Sequence, residues 1–175
     1  MAVDKHNNEI PWYTYASIIF LTGRIKKDFS VFEYGSGNST IWFGENAGKV
    51  VAVEHDEDWY KKMRKIIAET KNVTYSHCEL KGSKYVDEIF KYENEFDMIV
   101  IDGRERVECS KNVLKPLKKG GVIIWDNSDR TEYQEGYDYL FKNGFRKIDF
   151  WGIGPINDYE WCTSIFYRDN NCLGI

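Results

Sequence analysis

Short apolar runs alternate with amphipathic stretches along the chain, the pattern of an α/β protein. Apolar runs predict strands at residues 30–34, 49–54, 73–77, 96–101 and 122–125. The fourth reads Phe-Asp-Met-Ile-Val-Ile, nearly all apolar at its end, as in a strand covered on both faces. A first helix is predicted from Pro11, a residue tolerated at a first helical position, with Tyr15, Ile18 and Ile19 as its apolar face and Gly23 at its end. A second begins near Ile41. Asp56 reads as the cap of a third, ending at Thr70, in which Trp59, Met63, Ile66 and Ile67 recur at helical spacing. Ser83 reads as the cap of a short helix to Lys91. A helix through Val113, Leu114 and Leu117 is expected to break at Gly120 and Gly121. A last one carries Tyr133, Tyr137, Leu140 and Phe141 and stops at Gly144. Two final strands, 146–151 and 162–168, are joined by a loop of Gly, Pro, Asn and Asp with no helical pattern, so they pair antiparallel. The expectation is a single domain over residues 1–175, with a mostly parallel sheet and a C-terminal antiparallel hairpin.

The first predicted strand runs into Gly35-Ser36-Gly37-Asn38-Ser39-Thr40. Glycines there permit close backbone approach, and exposed N–H groups gather at the start of the next helix. Such a loop suits a phosphate or the carboxylate of a bound amino acid. Two acidic residues narrow the choice. Glu54 ends the second strand, where a carboxylate can accept both hydroxyls of a ribose. Glu33 precedes the first glycine by two residues, where it repels a pyrophosphate and attracts an ammonium or sulfonium. Thr40 stands where a dinucleotide fingerprint has its third glycine. The plain reading of the same residues is a tight turn and a surface cap.

Glu33-Tyr34-Gly35-Ser36-Gly37, Glu54, the strand end Ile101-Asp102-Gly103 and the closing hairpin together resemble class I S-adenosylmethionine-dependent methyltransferases, over about residues 29–168. The resemblance implies a Rossmann-like doubly wound sheet of seven strands in the order 3-2-1-4-5-7-6. It also implies S-adenosyl-L-methionine as cofactor, lying across the carboxyl ends of the first strands. Glu33 and the loop of Gly35, Ser36, Gly37, Ser39 and Thr40 would hold the methionine part, and Glu54 the ribose. His55 would flank the adenine, Cys78 would lie at the adenine edge, and Asp102 beside the methionine end or the substrate. Two rival readings stay open: an NAD(P)-dependent oxidoreductase, and a binding module that moves no methyl group.

Asp102 ends the fourth strand, and Asp126-Asn127 ends the fifth. This arrangement resembles the metal site of catechol-type and caffeoyl-coenzyme A O-methyltransferases, which implies Mg²⁺ bound by Asp102, Asp126 and Asn127. Without a metal, Asp102 or Asp126 is a candidate general base. Asp126 also reads as a helix cap and Asn127 as a turn former. Arg104, Arg106 and Arg130 either neutralise these carboxylates or hold an anionic substrate group. An Asn/Asp-Pro-Pro-Tyr tetrapeptide, which marks methylation of DNA bases or glutamine, is replaced here by Ile-Asp-Gly-Arg.

Composition adds limits. Twelve Tyr and six Trp in 175 residues are more than a core hides easily, so some line a pocket. Trp12 and Tyr13, in an N-terminal segment (residues 1–28) flanking the site, and Tyr159 in the last loop are candidates for its substrate side. The terminal aromatics fit a homodimer surface equally. A net charge of −4 argues against a nucleic-acid backbone. With no room for a large inserted cap domain in 175 residues, the substrate is expected to be a small molecule or to be held partly by a partner subunit. Cys78, Cys109, Cys162 and Cys172 form no C-x-x-C pair, so no zinc site or disulfide framework is expected. With no signal-peptide pattern and no membrane-length apolar run, a cytoplasmic protein is expected.

Overall fold

In a computed structural model, which describes residues 2–175, seven strands form one sheet. They are β1 (Ser30–Tyr34), β2 (Lys49–Glu54), β3 (Val73–His77), β4 (Phe96–Ile101), β5 (Leu117–Asp126), β6 (Arg146–Gly152) and β7 (Trp161–Tyr167). Their order is β3-β2-β1-β4-β5-β7-β6. The pairs among β1 to β5 are parallel, and β7 is antiparallel to both β5 and β6. Helices α1 (Tyr15–Leu21), α2 (Asn38–Asn46), α3 (Glu57–Ile67), α4 (Lys84–Asp87), α5 (Arg106–Lys111) and α6 (Gln134–Lys142) complete the Rossmann-like fold.

The sheet is central because β1, β2, β4 and β5 are apolar on both sides. One face packs Phe32, Tyr34, Ile99, Ile101, Ile123 and Trp125 against α4, α5 and α6. The other packs Val31, Val50, Met98, Val100, Ile124 and Ile165 against α1 and α2. Such two-sided cover makes the strands legible as unbroken apolar runs.

Several elements differ from the sequence expectation. Helix α1 starts at Tyr15, because the Thr14 side chain accepts a hydrogen bond from Ser17 N–H and so caps it. Its buried face is Ser17, Ile18 and Leu21, whereas Ile19 is 74% exposed. Helix α3 is capped by Asp56, which accepts from Trp59 N–H at 2.7 Å, and stops at Ile67. Ser83 caps nothing; it sits in the left-handed region at φ 59°. The segment from Leu117 to Gly121 is strand, not helix. A register shift between Phe96 and Met98 lets β5 begin early. A Cβ on Gly121 would lie 2.5 Å from a Leu117 methyl and 3.0 Å from the Phe96 carbonyl oxygen. The glycines are there for close approach at the irregularity, not to end a helix.

The residues before α1 are stitched onto the hairpin. Thr14 N–H donates to Thr163 Oγ1 at 3.1 Å, and Tyr15 N–H donates to the Ile153 carbonyl at 3.0 Å. At the other end of this segment, Asn38 Nδ2 donates to the Ala2 carbonyl at 2.9 Å. All four cysteines are free. Among the described residues no helix is long and apolar enough to cross a membrane.

Where β1 and β4 end, two backbones touch. Gly35 has φ +98°, and a Cβ on it would meet the Gly103 backbone at 3.1 Å. A Cβ on Gly103 would overlap the buried Tyr85 hydroxyl at 2.0 Å. Gly35→Ala is therefore expected to lower unfolding free energy by about 1–3 kcal/mol, read as a lower urea midpoint with unchanged slope.

Candidate active site

The strand order reverses between β1 and β4. In open α/β sheets ligands bind outside the carboxyl ends of the strands at such a point. An open cleft of about 720 Å³ lies there, with Gly35, Ser36 and Gly103 among its lining residues. One end is lined by Glu54, His55, Asp56, Asp58, Trp59 and Lys62. The other is lined by Asp102, Arg104, Arg106 and Arg130, and Trp12 adds an aromatic wall. Its ring lies 6.4 Å from that of Trp59.

Glu54 ends β2 and is only 4% exposed. Its Oε1 accepts from the backbone N–H of His55 at 2.8 Å and of Asp56 at 3.0 Å. Oε2 accepts from Ser36 Oγ at 2.8 Å, and that hydroxyl also meets Tyr75 Oη at 2.7 Å. One oxygen is thus fixed by main chain, while the other holds a replaceable hydroxyl. His55 Nδ1 lies 2.9 Å from Oε1 but makes no hydrogen bond there. Trp59 Nε1 donates to the Ser36 carbonyl at 2.8 Å and so ties α3 to the glycine loop.

Glu33 stands differently from its expected role. It is fully buried and does not line the cleft. Its carboxylate accepts from Ser39 Oγ and, at 2.5 Å, from Thr40 Oγ1, which also accepts from Gly37 N–H at 3.0 Å. It thereby fixes the start of α2. Burial raises its pKa from 4.5 to about 7, against the lowering by Ser39 and Thr40. Tyr13 is also fully buried, and its hydroxyl makes no hydrogen bond among the described residues. Burial pushes its pKa up, and the charges of Glu33, Asp102 and Asp126 add to that shift.

At the opposite end, Arg106 spans the loops after β4 and β5. Its guanidinium donates to the carbonyls of Gly103 (2.9 Å), Asp102 (3.0 Å) and Asp126, to Asp102 Oδ1 (3.0 Å) and to Asn127 Oδ1 (3.3 Å). Asp126 Oδ1 accepts from Trp161 Nε1 (3.1 Å) and Thr163 Oγ1 (2.6 Å). The expected Mg²⁺ ligands Asp102, Asp126 and Asn127 therefore do not fit a divalent ion. A buried guanidinium already bridges Asp102 and Asn127, and Asp126 is turned to neutral donors. Among the described residues no group of three or more His, Cys, Asp or Glu is placed to hold a metal. Burial raises the pKa of Asp102 and of Asp126; the charge of Glu33 adds to the first shift and that of Asp102 to the second, while Arg106 pulls both down.

A family model for a methyltransferase domain matches residues 32–128. The chain belongs to the methyltransferase-domain family. Its fold is similar to that of the precorrin-6y C5,15-methyltransferase from Geobacter metallireducens GS-15 (TM-score 0.67, 16% identity, 97% of this chain and 94% of that one). A tRNA methyltransferase from Aquifex aeolicus is similar at TM-score 0.63 and 19% identity, over 91% of this chain and 70% of that one. Spermidine synthase from Thermotoga maritima gives 0.63 and 14%, over 87% of this chain and 57% of that one. The chain thus spans little more than half of that enzyme, and 64% of a matched Pyrococcus horikoshii structure. No curated protein matches the chain by sequence.

In this methyltransferase domain the sequence candidates divide. Trp12, Gly35, Ser36, Glu54, His55, Asp102, Arg104 and Arg130 share the cleft. Glu33, Gly37, Ser39, Thr40 and Asp126 are buried and do not line it. Cys78 bonds Glu88 at 3.3 Å and is outside the cleft lining, as is Tyr159, which is 61% exposed. Tyr13 and Asn127 are also outside it. Sequence reasoning missed Asp56, Asp58, Trp59 and Lys62 as cleft residues, having read Asp56 as a helix cap and Trp59 as part of the apolar helix face. It left Arg106 undecided.

The raised pKa of Glu33 fixes a sign. The unfolded chain loses this proton near 4.5 and the folded chain near 7, so folding stability falls as pH rises through that window. In the ligand-free methyltransferase domain, Glu33→Gln is expected to flatten the decline in urea midpoint between about pH 5 and about pH 8. Arg106→Met strands a carboxylate and three carbonyls, and is expected to cost on the order of 3–5 kcal/mol. Mg²⁺ or EDTA is expected to leave the wild-type thermal midpoint in place; a chelator-sensitive midpoint would contradict the role given to Arg106.

Proposed function

We propose that this domain binds S-adenosylmethionine in the β1–β4 cleft and methylates an oxygen atom of a small molecule. The observation that carries the reading is Glu54. It is buried at the cleft wall, pinned by two main-chain N–H groups, with a second oxygen whose hydroxyl partner a ribose can replace. Gly35 and Gly103 support it, since bare backbone at the floor permits the close approach that a nucleoside bearing an amino acid requires.

Bound S-adenosylmethionine supplies a methyl group on a positively charged sulfur, which an acceptor displaces in line. The chain's own contribution is placement and charge. Glu54 and Ser36 orient hydroxyls at one end. Trp12 and Trp59 bound the cleft with ring faces that exclude water and favour positive charge. Glu33 acts indirectly: it fixes Ser39 and Thr40, and hence the N–H groups at the start of α2. Asp102 lines the cleft with a carboxyl pulled upward by burial, so it suits a role as proton acceptor from a hydroxyl. Asp126 acts through Arg106, which bonds both residues, as a buried positioning residue held by Trp161 and Thr163. The acidic net charge and the cleft's size, within the roughly 300–1,000 Å³ of small-ligand sites, favour a small acceptor.

Isothermal titration with S-adenosylhomocysteine and with NADH tests the reading. The wild-type protein is expected to bind the first and not the second, and Glu54→Ala to lose tenfold or more, about the 1.5–3 kcal/mol of hydrogen bonds to a charged group. Heat from NADH, with none from S-adenosylhomocysteine or S-adenosylmethionine, would overturn it.

A further inference from the structure

The charges lining the cleft are unevenly divided. At the β2–α3 end Glu54, Asp56 and Asp58 face a single cation, Lys62, whose Nζ rests 4.7 Å over the Trp59 ring. At the β4–β5 end three guanidiniums, Arg104, Arg106 and Arg130, face a single carboxylate, Asp102. Arg106 and Asp102 are already paired at 3.0 Å. The excess positive charge therefore sits on Arg104 and Arg130.

Neither of these is committed elsewhere. Arg104, on the loop from β4 to α5, has a main-chain carbonyl that accepts from Cys109 Sγ, while its guanidinium forms no ion pair or hydrogen bond among the described residues. Arg130, on the loop from β5 into α6, donates only to Tyr133 Oη at 3.4 Å, near the limit of a hydrogen bond. The neighbouring acids Asp129 and Glu132 stabilise its charge, but neither forms an ion pair with it among the described residues. Asp129 accepts from Cys162 N–H at 3.2 Å, and Glu132 lines a separate depression with Glu105 and Glu108. Arg130 is close enough to Asp102 to lower its pKa, yet no ion pair joins them, so it faces the cleft with its charge available.

Two free guanidiniums on adjacent loops, in a chain of net charge −4, run against the field of the molecule. We infer that they form a binding site for the carboxylate or phosphate group of a small methyl acceptor, the planar fork of each matching such a group. The inference rests on the methyl-transfer reading for the word acceptor, whereas the anion site stands on the charge distribution. It disfavours a polyamine, which this end would repel. It also disfavours nucleic acid, whose binding grows with the number of phosphates neutralised by Lys and Arg, since the site offers two cations in an acidic chain.

Phenyl phosphate and benzoate serve as probes, titrated into wild-type protein with and without saturating S-adenosylhomocysteine. Spermidine and a short single-stranded RNA serve as counter-probes. At least one anion is expected to bind, more weakly as salt rises, and Arg104→Gln/Arg130→Gln to weaken it about tenfold or more. S-adenosylhomocysteine affinity is expected to stay within about twofold in the same variant, since a twofold change is only ~0.4 kcal/mol. Anion binding that survives the double substitution would overturn the inference, as would binding of spermidine or RNA with none of either anion. If both anions bind through the two arginines but S-adenosylhomocysteine does not, the anion site stands and the cofactor reading falls. The reverse pattern removes the anion site alone.

Discussion

A parallel sheet that ends in carboxylates has to compensate them, because a charge taken out of water is stable only when it is paired or hydrogen-bonded. Glu33, Asp102 and Asp126 pose that problem here at the ends of β1, β4 and β5. Each is answered differently. Two hydroxyls from the start of α2 meet Glu33, a guanidinium from α5 meets Asp102, and an indole and a threonine from β7 meet Asp126. The compensation dictates the architecture around the cleft. Helix α2 must begin at Asn38, the first turn of α5 must place Arg106 between two loops, and the hairpin must return beside β5. The N-terminal segment joins the same network, since Thr163 bonds both Asp126 and Thr14.

Much of this was legible from the chain. Strands covered on both faces appear as apolar runs, and the turn at Gly35 is written in its glycines. What failed was local pattern where tertiary contact decides. Leu117 to Gly121 fits a broken helix by periodicity, but pairing with Phe96 makes it strand. Ile19 fits an apolar helix face, but the hairpin covers the Ser17 side and leaves it in water. The acidic cluster was visible as Asp102, Asp126 and Asn127, and its resemblance to a divalent-ion site was real at the level of residue type. The answering cation was visible too, four residues after Asp102. Nothing in the spacing says that its side chain folds back to bridge the ends of β4 and β5, reaching the Asp126 carbonyl 20 residues further along the chain.

The cleft divides its labour between main chain and side chain. Fixed features run from the end of β2 to the junction of β1 and β4: the Glu54 oxygen held by backbone, the Trp59 indole tied to the Ser36 carbonyl, and the two glycines. The rest of the lining comes from side chains on loops and the helix rim, among them Trp12, Lys62, Arg104 and Arg130. This agrees with a general division in α/β folds, in which a rigid scaffold presents variable loops that carry selectivity.

The contact between Gly35 and Gly103 has an evolutionary consequence. A surface built from bare peptide offers no side chain to exchange, so mutation cannot retune it; it can only break it. Divergence is thereby channelled to the periphery. A lineage carrying this pair can acquire new preferences by altering the rim while inheriting its foundation untouched, which lets proteins of low sequence similarity keep one shape beneath differing specificities.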